Sequence, residues 1–241
     1  MPNFDFEKYD ASGNTFIIVE KSSLGHISPQ KEVKNILDPK RGVGADGLLI
    51  LHASSCADTR MQYFNPDGSE AEICGNALRS IGFYLFLRDG KSLHRIETLA
   101  GVKETEILES KGLWGLVKLN LGEFKGEYVL YEPPLEEKKS QKKWKGYFTR
   151  MPGNPHVVLF GPIPDDQEFF KLGPLIENDP QFPDRTNVNF VEEIESGTYR
   201  LRPWERGTGE TLSCATGAAS AFLICLLYTS DAADEGLGVD L

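Results

Sequence analysis

One spacing constrains this chain more than any other feature. Gly13-Asn14 recurs as Gly153-Asn154, Glu70 recurs as Glu210 and Cys74 recurs as Cys214, all at one common offset. Asn14 and Asn154 therefore stand equally far ahead of their cysteines, and each Glu stands four residues ahead. Three features sharing one offset mark a duplicated unit, because a repeat keeps its turns, caps and packing positions in register. A length of 241 residues allows two such units, each able to bury its own core. Gly122, Gly126, Pro133, Pro134 and a charged stretch gather between residues 120 and 146. The halves are expected at residues 1–120, carrying Cys74, and 121–241, carrying Cys214.

Within the halves, short strands dominate. Thr15 to Val19, Leu48 to Leu51, Met61 to Phe64, Gly115 to Leu119, Val157 to Phe160 and Asn187 to Val191 are apolar or β-branched runs flanked by turn residues. Two segments break the pattern. Cys74 to Arg88 is apolar on nearly every face and ends at Asp89-Gly90 as a helix does. Cys214 to Tyr228 carries no charge, and its strongly apolar part, Ala218 to Tyr228, is shorter than the roughly 20 residues a membrane span needs. A helix apolar all round must then be enclosed by other elements of the fold. The expected architecture is α+β, with two pseudo-symmetric domains, each a mostly antiparallel barrel-like sheet wrapped around a central apolar helix. Amphipathic helices are predicted at Gln30 to Leu37 and Asp166 to Leu172, the latter capped by Asp165.

Composition narrows the function classes. With 26 Lys plus Arg against 36 Asp plus Glu the net charge is −10, which disfavours nucleic acid and anionic membrane as partners. Lys138, Lys139, Lys142, Lys143 and Lys145 form an interrupted basic cluster that reads as a solvated loop. The start MPNFDFEKYD has no signal-like apolar run, pointing to the cytoplasm and to reduced thiols at Cys56, Cys74, Cys214 and Cys225. No Cys-x-x-Cys pair is present, so a metal site is disfavoured. Cys225 reads as a small hydrophobe and Cys56 as a loop residue.

Cys74 and Cys214 each open an apolar helix. There a thiol meets unpaired backbone N–H groups and the positive end of the helix dipole, which lower its pKa. Two such thiols on opposite sides of one carbon centre suit stereoinversion, since one removes a proton while the other delivers a proton to the opposite face. The same helix starts offer N–H donors to a substrate carboxylate.

Five ordered motifs carry a resemblance: RGVGADGLLI from Arg41, YFNPDGSEAEICGNALRS from Tyr63, MPGNPHVV from Met151, PDRTNVNFV from Pro183 and WERGTGETLSCATGAAS from Trp204. Together they resemble the diaminopimelate epimerases, cofactor-independent amino-acid epimerases that use two cysteines. The resemblance implies that Cys74 and Cys214 are the acid/base pair, with the N–H groups of Gly75, Asn76, Ala215 and Thr216 on the substrate carboxylate. It implies that Asn14, Asn65, Asn154, Asn187, Glu205 and Arg206 hold the rest of a diamino diacid, and that His156 and Glu205 tune the thiols. The implied active site lies in the cleft between the halves, and the reaction interconverts LL- and meso-diaminopimelate with neither pyridoxal phosphate nor metal. Pairing with a second copy of the chain, a homodimer, is left open. Ala215 stands where the family usually has Gly, Ala77 departs from the commoner Asn-Gly, and Thr15 replaces a frequent Asp. The tail YTSDAADEGLGVDL lacks strand alternation, so the chain reads as truncated, with the helix face from Phe222 to Leu227 partly uncovered and a lowered stability.

Rival readings remain. Gly42 to Gly47 has the G-x-G-x-x-G spacing of dinucleotide sites, but a helix-like segment precedes it and a strand follows, the reverse of the required context. A related two-cysteine racemase, including a proline-racemase-like enzyme, shares the chemistry with another substrate. A binding protein without turnover, or a hydrolase using Cys214 and His156, has less support.

Overall fold

The structure, a computed structural model, describes residues 4–25, 28–123, 128–134, 144–151 and 154–234; the side chains of Pro29, Lys31, Met151 and residues 227–234 are outside the description. The chain divides into two compact units, Met1–Glu123 and Phe124–Leu241. In the first, β1 (Glu7–Ala11), β2 (Asn14–Glu20), α1 (Pro29–Leu37), β3 (Gly47–His52), β4 (Thr59–Phe64) and β5 (Glu70–Ala71) lead to α2 (Gly75–Asp89), and β6 (Leu93–Thr98), β7 (Gly101–Lys111) and β8 (Trp114–Asn120) follow. The second holds β9 (Tyr128–Tyr131), β10 (Lys145–Met151), β11 (Asn154–Phe160), α3 (Asp166–Glu177), β12 (Asn187–Glu195), β13 (Thr198–Glu205), β14 (Gly209–Glu210) and α4 (Ala215–Asp234).

The first sheet runs β1-β2-β3-β4-β6-β7-β8, with β5 beside β4, and is antiparallel except at β2-β3 and β4-β6. Both of its end strands, β1 and β8, contact α2, as do β2, β6 and β7, so this sheet curls around the helix. Ala77, Leu78, Ile81 and Tyr84 pack into one core with Phe16, Ile18, Leu49 and Ile96. Cys74 is the extended N-cap of α2, and Gly90 closes it in the left-handed conformation with its N–H donating to Phe86 O. The second sheet runs β14-β13-β12-β11-β10-β9, parallel only at β11-β12. Its strands β10, β11 and β12 contact α4. Phe222 and Leu226 of α4 are more than half and half exposed, so this helix is less enclosed than α2.

The duplication reaches the ladder register. Ala11 pairs with Asn14 across β1-β2, and Met151 pairs with Asn154 across β10-β11. Phe16 lies beside Gly47 on parallel β2-β3, and His156 beside Asn187 on β11-β12. Leu48 faces Phe64, and Val188 faces Trp204. Phe64 faces Glu70, and Trp204 faces Glu210. Every pair recurs at the offset that separates Cys74 from Cys214, with helices α1 and α3 making the two parallel crossovers. The β1-β2 turn requires left-handed backbone at two positions, Ser12 (φ 55°) and Gly13 (φ 85°), the signature of a two-residue type I′ hairpin.

The structure adds strands the sequence reading did not resolve, chiefly β6, β7, β10 and β13, whose faces are polar or whose runs are charged. It also lengthens two helices. Past the predicted end at Leu172, α3 continues to Glu177 with Pro174 inside it. Ile176 is buried with Phe169 and Leu172, while Phe170, whose carbonyl loses its N–H partner to the proline, is on the exposed side. Helix α4 runs on to Asp234, and the remaining tail, residues 235–241, lies outside the described residues. Outside them too are Gly126, Pro152, Gly153 and the cluster lysines apart from Lys145, which opens β10. Among the described residues no helix is long and apolar enough to cross a membrane. Gly42 to Gly47 follows α1 and leads into β3, which excludes the dinucleotide reading on context.

Candidate active site

In the first unit the residues gather where β2 begins and α2 begins. Asn76, buried in the first turn of α2, donates from Nδ2 to Asn14 Oδ1 at 2.7 Å and accepts from Arg79 Nη1 at 2.9 Å. Gly75 is buried and Cys74 half-buried. Arg79 is itself half-buried; burial lowers its pKa, and the charge of Cys74 opposes that shift. Asn65 sits in the β4-β5 turn, where its N–H donates to Ser69 O and its Nδ2 to Ser69 Oγ.

The second unit repeats this plan with a denser polar network. Cys214 precedes α4 as Cys74 precedes α2, its carbonyl accepting from Ala218 N–H as Cys74 O accepts from Leu78 N–H. Its sulfur lies 3.6 Å from Thr216 Oγ1, and the Gly217 N–H and the Glu205 carboxyl also bond to it. His156, fully buried on β11, places Nε2 3.0 Å from Thr216 Oγ1. Glu205, at the end of β13, accepts from Thr211 Oγ1 at 2.6 Å. Asn187 Oδ1 accepts from the Arg206 N–H, and its Nδ2 donates to Pro155 O, so this side chain fixes the backbone that carries Arg206. The Arg206 Nη1 donates to Asp184 O. Asn154, half-buried, opens β11, and Ala215, half-buried, opens α4.

Electrostatics corrects one expectation. The helix N-terminus does supply an N–H to the Cys214 sulfur, but burial and the nearby Glu205 charge outweigh it and push that thiol up instead of down. Burial also raises Glu205, against the hydrogen bonds from Thr211 and Cys214. His156 is pushed down to about 3 by burial and by Arg206, so its ring is neutral.

Two residues that the sequence reading missed organise this unit. Glu177, buried on α3, accepts from Trp204 Nε1, Gly207 N–H and Arg185 Nη1, holding the turn that carries Glu205 and Arg206. Asn189, completely buried, donates to His156 Nδ1 and to Val157 O. Its signal was the pair Asn187 and Asn189, polar residues two apart on one face of a buried strand. None of the four cysteines is joined in a disulfide. Among the described residues no group of three or more His, Cys, Asp or Glu side chains is placed to hold a metal. A cavity of about 640 Å³ between Tyr147, Phe160, Val191, Tyr199 and Cys225 includes none of the site residues above.

The sequence model of the family described as diaminopimelate epimerase matches residues 6–125 and 148–236. The chain belongs to the diaminopimelate epimerase family. It is 40% identical over 231 residues to a diaminopimelate epimerase of Methanococcus maripaludis, covering 92% of this chain and 83% of that protein. To the diaminopimelate epimerase of Acetivibrio thermocellus it is 39% identical over 232 residues, with 92% and 82% covered. Among solved structures, a probable proline racemase from Agrobacterium radiobacter (TM-score 0.65, 15% identity, 95% of this chain and 78% of that one) shares the fold. So does a hydroxyproline epimerase from Agrobacterium vitis (TM-score 0.65, 15% identity, 93% and 77%). As a member of the diaminopimelate epimerase family the chain is an isomerase with an α+β fold of two sheets.

Proposed function

We propose that this enzyme interconverts LL- and meso-diaminopimelate by a two-base thiol mechanism, in the cytoplasm, on the route to lysine and cell-wall crosslinks. The observation that carries this reading is how the site residues divide under the internal repeat. Asn14 and Asn154, Asn65 and Glu205, Cys74 and Cys214, Gly75 and Ala215, and Asn76 and Thr216 are repeat partners. His156, Asn187 and Arg206 have Phe16, Gly47 and Pro66 as theirs. Inverting a carbon centre calls for similar equipment on its two faces, which the paired residues supply. Recognising one distal amino-acid end calls for equipment on one side only, which Arg206, on backbone fixed by Asn187, supplies, while the equally unpaired His156 serves Cys214 through Thr216.

In this reading Cys214, held protonated by burial and Glu205, enters the cycle as the acid. Cys74, beside the Arg79 guanidinium, is left to act as the base. As the α-proton passes to Cys74, charge builds on the substrate carboxylate, which the N–H groups opening α2 and α4 receive. Cys214 then protonates the opposite face, and the roles reverse for the other isomer. Arg206 clasps the distal carboxylate with the bidentate geometry a guanidinium offers.

Chiral analysis of product tests the substrate assignment. Purified chain given LL-diaminopimelate forms the meso isomer with no added cofactor, and Arg206→Leu lowers that activity at least a hundredfold, the scale of a lost charge-assisted pair of about 3 kcal/mol. No meso product from the unaltered chain overturns the reading.

A further inference from the structure

Asn189 belongs to none of the roles above, yet it is completely buried and joined to them. Its Nδ2 lies 3.2 Å from His156 Nδ1 and 3.1 Å from Val157 O. The orientation of its amide follows from that second contact. Turned over, the amide would set its carbonyl oxygen against the Val157 oxygen, two acceptors with no proton between them. The NH2 group therefore gives one proton to Val157 O and the other to Nδ1. A neutral imidazole that accepts at Nδ1 carries its proton on Nε2, which donates to Thr216 Oγ1 at 3.0 Å. Because the Thr216 hydroxyl accepts from the ring and donates nothing to it, its own proton can turn to Cys214 Sγ, 3.6 Å away.

Resting on the two-thiol reading, we propose that Asn189 is a positioning residue: it sets the proton order Asn189 to His156 to Thr216 to Cys214, so that a hydroxyl donates to this sulfur when its proton leaves. The repeat argues against a purely structural role. The partners of His156, Asn189 and Gly217 in the first unit are Phe16, Leu49 and Ala77, all buried in one apolar core. The same backbone plan thus packs without polar groups, whereas burying His and Asn carries a desolvation cost. That cost is visible, since Asn189 Oδ1 is buried with no partner among the described residues. Gly217 makes the room for it, because a Cβ at that position would run into Oδ1. The charged groups facing the chain of bonds are Arg206, beside His156, and Glu205, beside Cys214.

Nitrogen-15 NMR of the whole protein reads the proton order without turnover, with the His156 ring signals assigned by their loss in His156→Phe. The expected result is a protonated Nε2 and a bare Nδ1 near neutral pH; a proton on Nδ1 overturns the proposal. Kinetics supply the second arm. Asn189→Leu, which installs the residue found at position 49, lowers kcat about tenfold with KM little changed, the scale on which losing a histidine's orienting partner acts. Thr216→Val lowers kcat similarly, and the double variant falls no further, because both act through one chain of bonds. Effects that multiply, or an Asn189→Leu enzyme with normal kcat, overturn the proposal. If Asn189→Leu fails to fold, the ring protonation of the unaltered enzyme decides. Loss of the epimerase reading would appear instead as absent turnover in the unaltered chain with the Nε2 proton still in place.

Discussion

His156 illustrates how far a single side chain can depart from its usual chemistry when it is enclosed. In the unfolded chain its pKa lies near 6.5, and in the fold it is near 3 because water is excluded and Arg206 is close. Above pH 6.5 both states are neutral and the histidine adds no pH dependence. Between 6.5 and 3 only the unfolded chain takes up the proton, so stability falls with acid by up to about 1.4 kcal/mol per pH unit. Urea unfolding at pH 7 and pH 5 should show the unaltered protein losing about 2 kcal/mol more than His156→Phe; equal losses would refute a neutral buried ring. From the sequence, His156 after Pro155 reads as an ordinary structural histidine, and only the resemblance marks it. Its neutrality was not legible, because it depends on enclosure by strands and a helix distant in sequence. Cys214 teaches the opposite lesson. The helix-cap position was legible, but the direction of its pKa was not, since local dipole reasoning omits burial.

Elements follow the sequence where hydrophobic pattern and cap chemistry agree. Asp165 was legible as a cap, and it accepts the Glu168 N–H at 2.8 Å at the start of α3. Replacing it with Ala leaves that N–H without its partner and should cost about 1 kcal/mol, read as a lower urea midpoint with an unchanged slope. An unchanged midpoint would mean the cap contributes nothing. Strands such as β3 and β11, nearly all buried, were equally legible. The long hairpin β7-β8 was half missed, because β7 reads GVKETEILESK and its outer half is exposed, so its pairing with β8 is fixed across the ladder and not by its own hydrophobicity. Helix α3 outruns its expected end at Leu172 and continues through Pro174, because burial of Ile176 outweighs one missing hydrogen bond.

At the scale of the whole molecule, two units built on one ladder plan explain why an offset visible in the sequence, the one from Cys74 to Cys214, predicts the register of strands that the sequence alone does not place. The repeat also marks positions where only the second unit is polar, among them His156, Asn187, Asn189 and Arg206, which stand opposite Phe16, Gly47, Leu49 and Pro66. If the two thiols share one substrate, mild peroxide should join Cys74 to Cys214, each sulfur losing its hydrogen as peroxide is reduced to water, and thiol reductant should restore activity. Peroxide-treated protein that stays active with both thiols oxidised would contradict the mechanism. The most direct measurement of the central claim is deuterium uptake from heavy water at the α-carbon of diaminopimelate, followed together with inversion. The unaltered enzyme should place one deuterium on each inverted centre, and Cys74→Ala and Cys214→Ala should each lose inversion by at least about a hundredfold. Inversion at an undiminished rate in either single variant would contradict it.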